Sequence, residues 1–320
     1  MSTNLENVDL EGYPAYKLKD SPPRRSELFY RVVFSLLFLP VLVVIASVGG
    51  IYYLLLIELG IGIGTYEFFK ILEARGLKPY TSLGVIAALI LGWNAYFASH
   101  IFTFLTLTGL FFAVSISELY RRSLDRAIYH ISATLFGVFY VGWLLSHLTL
   151  LRQIPAFLQY GDAMSKLANL KFSYVDITFA PSYNVGTIYT LIPFVLAWMN
   201  DTGGYFIGRK FGKHKILKRV SPGKSWEGLI GGGIFGLIGI FVLKCGWAPC
   251  LRISDCIILG ILASAAAPAG DFVESLLKRD AKLKDAGTTI PGHGGILDRF
   301  DSVLFVAPVV YYYLRFFVVS

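Results

Sequence analysis

Cysteine is scarce in this chain. Its 320 residues hold three, Cys245, Cys250 and Cys256. None of them forms a Cys-x-x-Cys pair and no histidine lies close by, which argues against a zinc site. Buried or interfacial thiols are expected, with a Cys245–Cys250 disulfide on the outer face as the lesser alternative. Charge is scarce as well. Charged residues make up 16% of the chain, where a soluble domain carries about 25%. No small-residue cleavage site follows the first apolar run, so that run reads as a retained span and not as a signal peptide. No internal repeat is visible, which removes the paired halves expected of a secondary transporter.

What is plentiful is apolar. Hydrophobic residues reach 55% and aromatics 15%, with a mean hydropathy of +0.61. They come in long blocks, and about 20 such residues in a helix cross a bilayer. Nine candidate spans follow: 29–48, 51–70, 80–98, 101–119, 131–150, 186–205, 228–246, 254–277 and 301–319. The predicted fold class is therefore all-α, a polytopic integral membrane protein. Glu58 and Glu67 in the second span are expected to face the bundle interior or an interface. The glycines at 231–233 sit inside an apolar run, so helix packing explains them better than a nucleotide loop does.

The net charge of +8 fits basic cytoplasmic loops, and nucleic acid is a poor explanation for it. With the N-terminus inside, segments 1–31, 70–78, 121–126, 209–224 and 278–299 hold 23 of the 29 Lys and Arg residues. That asymmetry predicts N-in and C-out. Three parts are expected: a polar cytoplasmic tail, 1–28; five helices and an outer loop, 29–185; and a catalytic region, 186–320, with four helices and two cytoplasmic loops.

Those two loops carry the chemistry. At the end of the eighth span Asp271, Glu274, Ser275 and Lys278 recur at i, i+3, i+4 and i+7, one face of a helix. A carboxylate at headgroup depth is costly unless it is paired or binds a cation. Asp271 can pair with Lys278 or Arg279, or it can ligate a metal. Asp298 and Asp301, at i and i+3, open the ninth span, where they can cap the helix or bind the same ion. Arg299 between them can grip a phosphate in bidentate fashion. Magnesium takes one or two protein carboxylates plus phosphates and water, so Asp271 with Asp298 supplies the minimum. Gly292, Gly294 and Gly295 around His293 can shape an anion nest, and His293 can donate to a phosphate or a leaving group.

The other loop runs from Asp201 through Arg209, Lys210, Lys213, Lys215, Lys218 and Arg219 to Ser221, Lys224, Ser225, Trp226 and Glu227. Its early lysines also suit acidic lipids, and Trp226 can stack or anchor at the interface. Gly223-Lys224-Ser225 imitates the end of a P-loop. Lys218 stands where that motif needs glycine, so a Walker site is rejected.

These residues resemble a known family. From Ser275 to Asp301, 27 residues, the chain carries Ser275, Lys278-Arg279, Lys284-Asp285, Pro291, His293-Gly294-Gly295, Asp298-Arg299 and Asp301. This is similar to the C-terminal signature of bacterial phosphatidate cytidylyltransferases, the CDP-diacylglycerol synthases. Ser221 to Gly228 resembles the family's Ser-Pro-x-Lys-Thr-x-Glu-Gly, with Ser225 in place of threonine. Gly270-Asp271 matches its Gly-Asp pair, while Pro268 departs from an expected amide residue.

The resemblance covers 186–320 closely and the first five spans only in number and character. It implies a nine-span homodimer in the bacterial plasma membrane, making CDP-diacylglycerol and pyrophosphate from CTP and phosphatidic acid at the cytoplasmic face. Asp271 and Asp298 are then expected to hold Mg²⁺, with room for a second cation such as K⁺ beside Asp301. Lys278, Arg279 and Arg299 would neutralise phosphate charge. Asp201, Ser221, Lys224 and Ser225 would orient CTP, and the substrate-binding set adds Glu227, Ser275, Lys284, Asp285, Gly294 and Gly295. The rival enzyme reading is a CTP-dependent lipid kinase. A phosphate-binding transporter is the non-enzyme reading.

Overall fold

A computed structural model describes residues 39–121, 125–160, 185–287, 289 and 294–319. The tail 1–28, His293 and most of the outer loop 152–185 lie outside the described residues. Among the described residues every regular element is helical: α1 Leu39–Val48, α2 Gly50–Ala74, α3 Thr81–Phe97, α4 His100–Leu119, α5 Ala127–Gly137, α6 Leu144–Tyr160, α7 Val185–Phe211, α8 Trp226–Gly246, α9 Ile253–Asp280 and α10 Leu297–Tyr313. A π-helical stretch, Val138–Trp143, joins α5 to α6, and another, Leu314–Val318, ends α10. Five segments are long and apolar enough to cross a membrane: His100–Leu119, Ala127–Pro155, Trp226–Gly246, Ile253–Asp280 and Leu297–Val318. Their outward faces are apolar too, as at Ile101, Phe104 and Leu105 on α4 and Ile230, Ile234 and Val242 on α8. Water does not solvate such faces well; hydrocarbon does.

Local chemistry sets several boundaries. Ser99 caps α4 by accepting from the Phe102 N–H at 3.3 Å, and Ser225 caps α8 by accepting from the Gly228 N–H at 3.2 Å. Asp255 accepts from the Arg252 N–H at 2.8 Å and closes the start of α9. Helix α9 continues unbroken past Pro268 to Asp280. Helix α7 runs to Phe211, beyond the expected end at 205, so Asp201 and Arg209 are helical and not part of a loop. Helix α10 starts at Leu297, four residues before the expected 301, which puts Asp298 and Asp301 in its first turns.

Helix packing brings the charged ends together. Close approach of α7 and α8 needs glycine: a Cβ on Gly203 would lie 2.6 Å from the Phe235 side chain, and one on Gly231 would lie 2.5 Å from Ile207. A Cβ on Gly270 of α9 would strike the carbonyl oxygen of Asp301 on α10. At the same end of the bundle Arg75, capping α2, bonds Asp280 at 2.9 Å, and Arg121 donates to the Lys78 carbonyl at 3.2 Å.

Candidate active site

Five elements meet at that end: α2, α7, the loop before α8, α9 and α10. Asp271 on α9 is ion-paired with Lys224 from the loop and accepts from the Ser275 hydroxyl at 3.2 Å. The same lysine lies 4.5 Å from the centre of the Phe272 ring. Asp201 on α7 accepts from the buried Ser302 hydroxyl at 3.2 Å. Asp201, Asp271 and Asp301 lie within electrostatic reach of one another. Three acidic side chains from three helices thus share one small volume, with Lys224 as the cation bonded among them.

A second cluster sits one helical turn further along. Lys278 lies 2.6 Å from Asp298 and 3.0 Å from the fully buried Glu274. Asp298 also accepts the N–H groups of Gly295 at 2.8 Å and of Ala286 at 2.9 Å. The expected pairing of Asp271 and Asp298 is therefore not the one the side chains form. Asp298 is occupied by Lys278 and the loop backbone, and Asp301 is the acidic neighbour of Asp271. Among the described residues no group of three or more His, Cys, Asp or Glu side chains already stands as a metal-ligand set. Magnesium needs only one or two protein carboxylates when phosphates and water complete its shell, so the hard oxygen donors of Asp271 and Asp301 fit it.

The remaining expected residues have definite places. Ser225 is spent on its helix cap. Glu227 accepts from His214, from Nδ1 at 2.6 Å and from the backbone N–H at 3.2 Å, and so fastens the loop to α8. Arg279 donates to the Leu283 carbonyl at 3.1 Å and closes the end of α9. Ser221 lies on a turn, its N–H bonded to the Leu217 carbonyl at 2.9 Å. Lys284, Asp285 and Arg299 are exposed at the rim. Gly294 has φ +80, and a Cβ there would crowd Asp298 at 2.6 Å. The Gly295 N–H points to Asp298, so the nest expected there faces a carboxyl group of the protein itself.

The sequence profile of the Cytidylyltransferase family matches residues 29–317. The chain belongs to the cytidylyltransferase family. Among similar cytidylyltransferases, the phosphatidate cytidylyltransferase of Synechocystis sp. is 34% identical, over 83% of this chain and 89% of that protein. Phosphatidate cytidylyltransferase 4, chloroplastic, of Arabidopsis thaliana is 32% identical, over 98% of this chain and 77% of its own length. The phosphatidate cytidylyltransferase of Bacillus subtilis is 29% identical, over 90% and 97%.

Sequence reasoning gave no role at this cytidylyltransferase site to four residues around it. Glu274 shares Lys278, and Ser302 holds Asp201. Tyr140, on the π-helical stretch, places a buried hydroxyl near Asp271, Glu274 and Asp301. Glu67, from α2, accepts the Leu297 N–H at 2.9 Å. Two of the four left a signal: Glu274 as an acid on the helix face of Asp271 and Lys278, and Glu67 as an acid inside an apolar span. Its companion Glu58 is buried beside Gly92 with no hydrogen-bond partner among the described residues.

Proposed function

We propose that the chain transfers the cytidylyl group of CTP to phosphatidate, giving CDP-diacylglycerol and pyrophosphate for phospholipid synthesis. One observation carries the mechanism: acidic groups from three helices and a lysine paired with one of them meet at one end of an apolar bundle, where a water-soluble nucleotide and a lipid headgroup can meet. A phosphate oxygen of phosphatidate attacks the α-phosphorus of CTP. The new P–O bond forms as the α–β bond breaks, and pyrophosphate leaves with that electron pair. A phosphate monoester has a second pKa of about 6, so the lipid phosphate is already mostly dianionic near neutral pH and no strong base is required. The obstacle is bringing two polyanions together, so positioning and charge neutralisation supply most of the catalysis.

Asp271 and Asp301, with Asp201 beside them, would hold Mg²⁺. Bound there, the ion supplies charge neutralisation of the triphosphate. A second cation such as K⁺ belongs to the same proposal. Lys224 moves from Asp271 to a CTP phosphate. Lys278 meets phosphate at the cost of its bond to Asp298, which frees that carboxylate for a cation in the substrate complex. Arg279, Arg299 and His293 are assigned to the phosphates at the rim. Ser221, Ser275, Lys284 and Asp285 complete the substrate contacts. Nine crossings, N-in and C-out, a homodimer, and a site on the cytoplasmic face of a bacterial plasma membrane complete the reading.

The test uses purified protein, phosphatidate vesicles and Mg²⁺ with CTP labelled at either the α- or the γ-phosphate. Label is expected in lipid from the α-position alone, and a chelator is expected to abolish it. Transfer of γ-label to lipid would instead identify a CTP-dependent lipid kinase.

A further inference from the structure

We propose that Glu67 is a positioning residue for this reaction: from the N-terminal half of the chain, it holds both limbs of the loop that presents Asp298 and Asp301. The proposal rests on the functional reading above. Helix α10 has no cap of its own, because Ile296 at its N-cap makes no side-chain cap bond. The first N–H groups of a helix need partners, and an acidic group there also suits the helix dipole. Glu67 supplies that partner from another helix, through the bond from the Leu297 N–H to Oε2. Its other oxygen, Oε1, accepts from the Thr289 hydroxyl, eight residues upstream on the same loop.

The loop is shaped around this carboxyl group. A Cβ on Gly287 would lie 2.6 Å from Oε1, and one on Gly295 would lie 2.5 Å from Oε2. Neither contact leaves room for a side chain. Glu67 itself is 3% exposed, and a carboxyl group in an apolar span is costly unless its hydrogen bonds are met. Both oxygens are met here by the loop. Asp298 accepts the Gly295 N–H, and Leu297, whose N–H Glu67 accepts, immediately precedes Asp298.

The experiment compares Glu67→Ala, Glu67→Gln and Thr289→Val in the full-length protein in detergent. It measures kcat and KM for CTP, the melting temperature, and the rate of trypsin cleavage after the exposed Lys282 and Lys284. Glu67→Ala is expected to lower kcat about 10–100-fold, the range seen when the support of a ligating group is removed, and to speed cleavage of the loop. Glu67→Gln still accepts from the Leu297 N–H and faces the Thr289 hydroxyl, so it keeps most of the activity. Thr289→Val falls between the two, with an unchanged melting temperature. Wild-type kcat and cleavage rate in Glu67→Ala would overturn the proposal. So would a Glu67→Ala protein that fails to fold alongside a Thr289→Val protein matching wild type in both readouts. If the wild type does not use CTP, the functional reading fails, while the cleavage rates still decide whether Glu67 holds the loop.

Discussion

Lys278 touches two acidic groups, Glu274 and Asp298, in a nearly dry setting. Removing the lysine strands both. Breaking a buried pair from one side costs about 3–5 kcal/mol, so Lys278→Met is expected to lower the melting temperature as well as the activity. Adding Glu274→Gln to that variant restores part of the stability and none of the activity; thermal melts beside the labelled-CTP assay check both. The acidic triad gives a graded forecast. Asp301→Asn removes a proposed ligand and is expected to lose more than the loss from Ser302→Ala, which only frees Asp201 and falls in the range of about 10–100-fold for a supporting group. Equal kcat/KM in the two variants would remove Asp301 from the cation. Asp271, Lys278 and Asp298 were legible in the sequence because charge at the end of an apolar block has few structural uses. Their pairing was not, since spacing along a helix says which face a residue takes and not which side chain from another helix meets it. A serine inside an apolar run, like Ser302, gives no signal at all.

Helix α7 is the clearest case of packing overruling local preference. The sequence ends the sixth span at 205 and reads Arg209 and Lys210 as part of a loop. The helix instead persists to Phe211, because Gly203 lets α8 approach closely enough to bury it. Gly231→Val is expected to force the two helices apart at Ile207, lower the melting temperature and weaken activity by displacing Asp201, although no charged group is altered. Retention of wild-type kcat/KM would show that the α7–α8 spacing does not set the site. Ser225→Ala removes the α8 cap and is expected to cost about 1 kcal/mol, with Ser225→Gly costing less. A fall in CTP affinity far beyond that stability loss would assign the hydroxyl to the nucleotide as well.

An all-helical membrane protein could be read from apolar blocks alone; of the nine crossings expected, five segments among the described residues are long and apolar enough to span a bilayer. Orientation is a matter of counting basic residues, and it yields a forecast for the whole molecule. Single cysteines introduced at His214 and Lys284 are expected to react with an impermeant reagent from the cytoplasmic side only. The natural Cys245 and Cys250, both exposed, are expected to react from the other. Labelling of 214 and 284 from opposite sides would break the arrangement. The sequence divides the chain into an N-terminal part and a C-terminal part expected to be catalytic, since every signature residue falls after 186. The bonds from Thr289 and Leu297 to α2 qualify that division. A fragment beginning at α7 would retain the entire diagnostic motif yet lack the foreign side chain on which its loop hangs. Such a truncation is expected to be inert, and possession of the motif alone is then no sufficient criterion for a working enzyme among shortened or fused relatives.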